Sequence, residues 1–243
     1  MSQPSSSMHR KLERVHYLYR HGGMRGMLFY LFYRFVNSFT RLRVFRAVVL
    51  DASAPVEPQL GQLDNFQHGL VEPQELAPHV EDPEGDLSPE FLAYADVQGD
   101  TCYAVFDGDA LVSYCWNSGK PTMVEDDLYI EFAPGYVYRY KEYTRPSHRG
   151  RRISSYARAE SLRRFAAAGV KGFAGYVEAD NFISYRALQR AGHLFPGFMV
   201  VLGRGPSPWI WHSPRAREWG FRVVAGSAGD TAYGLGESNL SPP

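Results

Sequence analysis

Arg149, Arg151 and Arg152 crowd a short segment that also holds Gly150 and runs straight into a stretch of helical apolar periodicity. Guanidinium groups beside a glycine turn, at the start of a helix, make an anion-binding arrangement. The first amides of a helix have no partner inside it, and the aligned peptide dipoles add partial positive charge there. A phosphate suits such a place: glycine permits a tight backbone and the arginines add full charge. A solvated basic turn between two ordinary elements would carry the same residues, because short Gly–Arg strings recur by chance. Carboxyls able to accept a proton lie on both sides, Glu131 and Glu142 before the loop and Glu178 after it. Each suits a surface ion pair equally well, Glu142 with Arg139 or Lys141. By strand alternation Glu142 shares a face with Tyr140 and Thr144.

The elements that must position these groups are legible nearby. Residues 136–144 are rich in aromatic and β-branched side chains, which suits a pleated strand. Pro146 stops it. Residues 155–168 read as a helix, with Ile153, Tyr156, Ala157, Ala159, Leu162, Phe165 and Ala166 at the spacing of one helix face. A second strand at 171–177 is followed by an Asn181 turn, a short helix and a Gly192 cap.

This run, 144–193, resembles the cofactor-binding core of the GNAT superfamily of N-acetyltransferases. In that family a strand ending near proline leads into R/Q-x-x-G-x-G/A, and N-x-x-[SA]-x-x-x-Y-x-[KR]-x-G-F follows the next strand. Arg149, Gly150, Arg151, Arg152, Ile153 and Ser154 lie on the first motif; Asn181, Ser184, Leu188, Arg190, Gly192 and His193 lie on the second. The resemblance implies an α+β fold, a mixed and mostly antiparallel sheet flanked by helices and splayed between the strands at 136–144 and 172–177. It implies transfer of an acyl group, usually acetyl, from acyl-coenzyme A to the amine of a small molecule or peptide by direct attack on the thioester. The loop 149–154 would hold the pyrophosphate of acetyl-coenzyme A. Backbone at Tyr143 and Thr144 would meet the pantetheine arm and the carbonyl, with Asn181 and Ser184 as further cofactor contacts.

The chain departs from the family pattern in places. Arg152 stands at the first loop glycine, Ser154 at the last small residue, and His193 at the final aromatic. Leu188 replaces the tyrosine that often serves as general acid. Glu142 is then the candidate base. Tyr185, three residues before Leu188 and near the same helix face, is a candidate phenol or simply a packed ring. Three uses stay open: acetyl transfer, transfer of an aminoacyl or longer acyl chain, and a non-catalytic scaffold or membrane-associated binding module of the same fold.

The 243 residues suit one domain with an extension: a helical N-terminal piece at 1–42, an acyltransferase domain at 43–225 and a flexible tail at 226–243. Lysine plus arginine equal aspartate plus glutamate at 26 each, so no nucleic-acid partner is expected. Cys102 and Cys115 read as buried free thiols of a reducing cytoplasm, and the scattered histidines offer no metal site. Residues 8–19 form a candidate helix. The apolar run 27–33 is too short to span a bilayer and lacks a signal-peptide cleavage site. Docking on the enzyme domain is the expectation for this aromatic stretch. The alternative is peripheral contact of 24–46 with the inner membrane face, arginines against headgroups.

Elsewhere the pattern gives a strand at 43–51 and a long acidic, proline-rich loop at 52–89, lid or linker, with one helical piece at 73–79. Ser88 and Pro89 start a helix that runs to about Val97. The Asp107-Gly108 turn joins a hairpin of 101–106 and 110–116. Single strands are expected at 123–132, 198–203 and 219–225, with a Trp- and Pro-rich loop at 205–214.

Overall fold

The computed structural model describes residues 23–24, 26–54, 63–82, 84–125, 128–205 and 207–226. The helix read at 8–19 and the tail from 227 lie outside them. Residues 26–39 form helix α1, which leads into β1 (Leu42–Asp51). Next come β2 (Gln67–Val71), a 3-10 turn (Pro73–His79) and α2 (Pro89–Gln98). Two hairpins follow, β3 (Thr101–Asp107) with β4 (Ala110–Ser118), and β5 (Thr122–Glu125) with β6 (Leu128–Glu131). The chain then enters β7 (Tyr136–Thr144), α3 (Ile153–Ala167), β8 (Gly172–Glu178) and α4 (Phe182–Arg190). It finishes with β9 (Leu194–Leu202), β10 (Trp209–His212), α5 (Pro214–Glu218) and β11 (Arg222–Ala225).

Eight strands form one sheet in the order β10-β9-β1-β8-β7-β4-β3-β2, and β11-β6-β5 form a second. In the large sheet every pairing is antiparallel except β7 with β8. The expected mixed, mostly antiparallel sheet is therefore what the chain builds. β1 is an interior strand, third from the β10 edge. Its run Ala47-Val48-Val49-Leu50 is apolar on both faces, and all four are buried, as a strand covered on both sides requires.

On one face Phe45, Ala47, Val49, Tyr138, Ala174 and Met199 meet Leu128, Ile130 and Val223 of the small sheet. Further along that face α2 lays Leu92 and Ala95 on Cys102, Tyr114 and Trp116. On the other face α3 buries Ile153, Tyr156 and Ala157 against Tyr103, Val105 and Val112. Its later turns bury Leu162 and Phe165 against Leu50, Val137 and Phe173. Helix α1 rests on α4 through Phe29, whose ring meets Phe182 edge-on at 6.1 Å, and it buries Tyr33. No helix of the described residues is long and apolar enough to cross a membrane. Both cysteines are free and buried.

Several boundaries differ from the sequence reading. The segment 123–132 is two strands, because Glu125 and the acidic residues after it interrupt the apolar run. β2 and β10 fall where the sequence pattern gives loop. β2 is a five-residue, part-buried segment, and β10 is framed by prolines. Each is strand only because a neighbour, β3 or β9, supplies its ladder. β9 begins at Leu194 rather than 198, through a Gly197 at φ 151°.

Where β8 enters between its neighbours, Gly172 has φ 154°, and a Cβ there would stand 2.2 Å from the Leu50 carbonyl oxygen. Gly172→Ala is therefore predicted to destabilise the chain by about 1–3 kcal/mol. Urea unfolding checks it: an unchanged midpoint would contradict this register of β1 on β8.

Candidate active site

β7 and β8 pair only at Tyr136 with Gly172, Val137 with Phe173 and Tyr138 with Ala174. Beyond Tyr138 they part. The cause sits on the other edge of β7, where Tyr140 faces Trp116 and Tyr143 faces Tyr114. Two residues, Lys141 and Glu142, thus oppose Cys115 alone, and Lys141 takes φ 44°. A bulge of this kind bends its strand and strengthens the twist. The wedge it opens is a cleft of about 1070 Å³, walled by 138–144 on one side, 173–178 on the other, and α3 and α4.

The bulge also changes which side chains share a face. Tyr138 and Tyr140 stack on one another, and Tyr143 stacks on Tyr114, all on the α2 side. Glu142 lies on the opposite side, toward α3, with Arg139. Plain alternation had grouped Glu142 with Tyr140; the extra residue at Lys141 separates them. On the α2 side the acidic segment of the long loop clasps the end of β7. Asp86 pairs with Lys141 at 3.0 Å, Asp82 and Glu84 pair with Arg145, and the Tyr143 hydroxyl donates to the Glu84 carbonyl.

After β7, Pro146–His148 make one 3-10 turn, and Arg149 Nε donates back to the Thr144 carbonyl at 3.0 Å. Gly150 at φ 79° and Arg152 at φ 59° then swing the chain into α3. Arg152 occupies the N-cap, and a guanidinium has no acceptor to offer, so no side chain caps this helix. The amide of Ser155 turns back to the Arg152 carbonyl at 3.0 Å, while those of Ile153 and Ser154 stand at the helix mouth. Arg149 and Ser154 line the cleft; Gly150, Arg151 and Arg152 are exposed outside its walls. Ile153 is buried in the core, so only its backbone can serve a ligand.

Across the cleft, Asn181 accepts from the Ser184 amide at 3.1 Å and so caps α4. Asn181, Ser184, Leu188 and His193 all line the cleft, as Tyr143 and Thr144 do opposite. Tyr185 does not. Its ring packs on Phe195 at 4.7 Å and under the Arg46 guanidinium at 4.6 Å, so the packed reading describes it.

The charged groups separate into two kinds. Both oxygens of Glu142 are 3.0 Å from Arg158 Nη2, and Arg139 Nε is 3.7 Å away. Desolvation by the cleft walls opposes its ionisation, but the two guanidinium groups outweigh this and hold its carboxyl below the usual range. Such a carboxylate is a poor proton acceptor. Glu178 is the reverse: burial first, then Asp180, raise it above the ordinary value. His193 Nδ1 lies 3.0 Å from the Leu188 carbonyl and must donate to it. Burial, then Arg158, push its imidazole down to about 4. It is neutral at pH 7.

Sequence reasoning passed over Arg139 as more than a surface partner, and it passed over Arg158. The signal was available for Arg158, one helical turn after Ser154 and so on the same side of α3. No group of three or more histidine, cysteine or carboxylate side chains able to hold a metal occurs among the described residues.

No protein-family model matches the chain, and no curated protein matches it. Solved structures are similar to it. A conserved protein of unknown function from Staphylococcus epidermidis is 12% identical with a TM-score of 0.47, over 71% of this chain and 65% of that one. A GCN5-related N-acetyltransferase from Sphaerobacter thermophilus is 16% identical with a TM-score of 0.47, over 71% of this chain and 55% of that one. For a GCN5-related N-acetyltransferase from Kribbella flavida the values are 15%, 0.46, 73% and 64%. This chain thus spans less than two thirds of the length of each.

The His193 geometry carries a pH dependence. Its ordinary value is 6.5 and its folded value about 4, so between the two the unfolded chain binds more protons. Stability therefore falls as pH drops from about 6.5 towards 4, by about 2 kcal/mol at pH 5. His193→Gln is predicted to shrink the difference in urea stability between pH 7 and pH 5 by that order. An equal difference in variant and parent would mean that His193 titrates normally in the fold.

Proposed function

We propose that this cleft transfers an acyl group from acyl-coenzyme A, acetyl in the first instance, to a primary amine by direct attack. One juxtaposition carries the reading. The wedge between β7 and β8 opens beside a helix start that no side chain caps, with Gly150 and Arg152 at positive φ and Arg149 at the rim. Acetyl-coenzyme A would bring the activated thioester, and the residues present suit it. The amides of Ile153 and Ser154 offer donors to a pyrophosphate, and Arg149 or Arg151 screens its charge. Because the ladder to β8 stops at Tyr138, β7 has no strand partner on its cleft edge beyond that point. This leaves room for an amide-bearing arm beside Tyr143 and Thr144, whose carbonyls already accept from Ser113 and Arg149. Asn181 and Ser184 close the opposite wall.

The chemistry then asks little of side chains beyond alignment and one proton. The amine nitrogen bonds to the acyl carbon, the carbon–sulfur bond breaks, and the amine gives up a proton. Glu178 is the better acceptor of that proton: it lines the cleft with a raised carboxyl, whereas Glu142 is locked between two arginines. A second reading, a coenzyme A-binding scaffold without turnover, rests on Leu188, an aliphatic group with no proton for the leaving sulfur.

Calorimetric titration of acetyl-coenzyme A tests the loop. Arg149→Ala is predicted to weaken binding by about 1–3 kcal/mol, roughly ten- to a hundredfold. Ser154→Pro, which deletes a cradle amide, should do worse. Arg152→Gly keeps its amide at a left-handed φ and should bind as the parent does. If all three variants match the parent, the loop is not the cofactor site and the acyl-transfer reading falls.

Coenzyme A release with a panel of amines tests the chemistry. Glu178→Gln is predicted to lower kcat about a hundredfold or more, while Tyr185→Phe leaves it unchanged. Cofactor binding without release for any amine would select the scaffold.

A further inference from the structure

The α3-side wall of the cleft holds a charge imbalance that acyl transfer leaves unexplained. The Arg139 side chain is only 9% exposed, and its guanidinium lies 5.3 Å from the centre of the Phe173 ring. None of its three nitrogens has a hydrogen-bond acceptor among the described residues. Its ion-pair partner Glu142 stands 3.7 Å from Nε, beyond hydrogen-bond range, and commits both oxygens to Arg158 at 3.0 Å. His193 beside them donates to a backbone carbonyl and contributes no acceptor through Nδ1. All five side chains, Arg139, Glu142, Arg158, Phe173 and His193, line the cleft. Two guanidinium groups are thus balanced by one carboxylate, and Arg139 stands in the cleft wall with all three nitrogens buried and unbonded.

A buried charge without an acceptor is costly, so a group at this position calls for an anion. The planar, two-oxygen geometry that matches a guanidinium fork is that of a carboxylate. The phosphates of a bound cofactor would sit at the loop 149–154, past the far end of β7. Arg139 lies five residues before Thr144 on β7, a separation on the order of 15 Å along a strand. The anion therefore belongs to the reacting end of the cleft.

We propose that Arg139 binds a carboxylate carried by a reacting substrate, either at the far end of the acyl group or on the amine acceptor. This rests on the acyl-transfer reading above and narrows it to acidic substrates. Arg158 positions Glu142, and the Glu142–Arg158 pair leaves Arg139 as the cation for the incoming acid.

The test uses the full chain in two calorimetric arms. The first compares succinyl-coenzyme A with butyryl-coenzyme A, which differ in the terminal carboxylate. The second compares L-amino acids with their carboxamides, with and without coenzyme A. In one arm the acid is expected to bind about ten- to a hundredfold more tightly than its neutral counterpart. Arg139→Met should abolish that preference and Arg139→Lys, which keeps the charge but not the fork, should retain part of it. The lysine variant also serves if the methionine variant does not fold. Equal affinity for acid and neutral probe in both arms overturns the proposal, as does a preference that survives both substitutions. Should coenzyme A itself not bind, the acyl-transfer reading falls. The amino-acid arm alone then decides the carboxylate site: an acid preference lost in Arg139→Met upholds it, and no preference overturns it.

Discussion

β7 has neighbours of opposite polarity and cannot follow both to its end. It pairs antiparallel with β4 from Tyr138 to Thr144 and parallel with β8 for only three positions. Sheet twist already rotates adjacent strands relative to one another, and the extra residue at Lys141 adds a bend toward β4. β8 does not follow, because its other edge is held by β1 in unbroken register from Gly172 to Glu178. A strand fixed on one side and a strand bent on the other leave a wedge between them. Arg139, Glu142, Arg158, Glu178 and His193 stand on that wedge, with the basic loop at its mouth, while Tyr185 and Glu131 lie off it.

The position of β1 thus matters for the site although it contributes only Val48 to the cleft wall. A segment near the beginning of the described chain lies between β8 and β9 from its later part. The sheet cannot close until residues far apart in sequence have met, a loop-closure cost compensated by burial of Phe45, Ala47, Val49 and Leu50. Rigidity of β8 is the return, and that rigidity keeps the wedge open on one side only.

Electrostatics divide the cleft lengthwise. At its mouth the uncapped start of α3 and the loop arginines make a positive, solvent-facing rim. Deeper, Arg139, Glu142 and Arg158 form a tight cluster in which the carboxyl is held ionised, and burial keeps the neighbouring His193 neutral. Glu178, where burial and Asp180 outweigh Arg43, goes the other way. The two carboxyls of one cleft, Glu142 and Glu178, are driven apart by their neighbours, which is how a fold assigns distinct proton roles to similar chemistry.

Local chemistry was sufficient for much of this. Aromatic and β-branched density marked β7, the Asp-Gly turn marked the β3–β4 hairpin, Ser88-Pro89 marked the start of α2, and Asn181 marked that of α4. The basic glycine loop and its place before α3 were equally plain, since glycine, proline and caps act over a few residues. What the tertiary structure alone decided is of longer range. The bulge at Lys141 exists because β4 offers one residue where β7 has two, and no pattern within β7 announces it. That single residue moved Glu142 away from Tyr140 and into the grip of Arg158, while Phe195 and Arg46 claimed Tyr185. A side chain's periodicity is written in its own segment, but its proton affinity and its facing partner are set by charges and strands that only folding brings within a few ångströms.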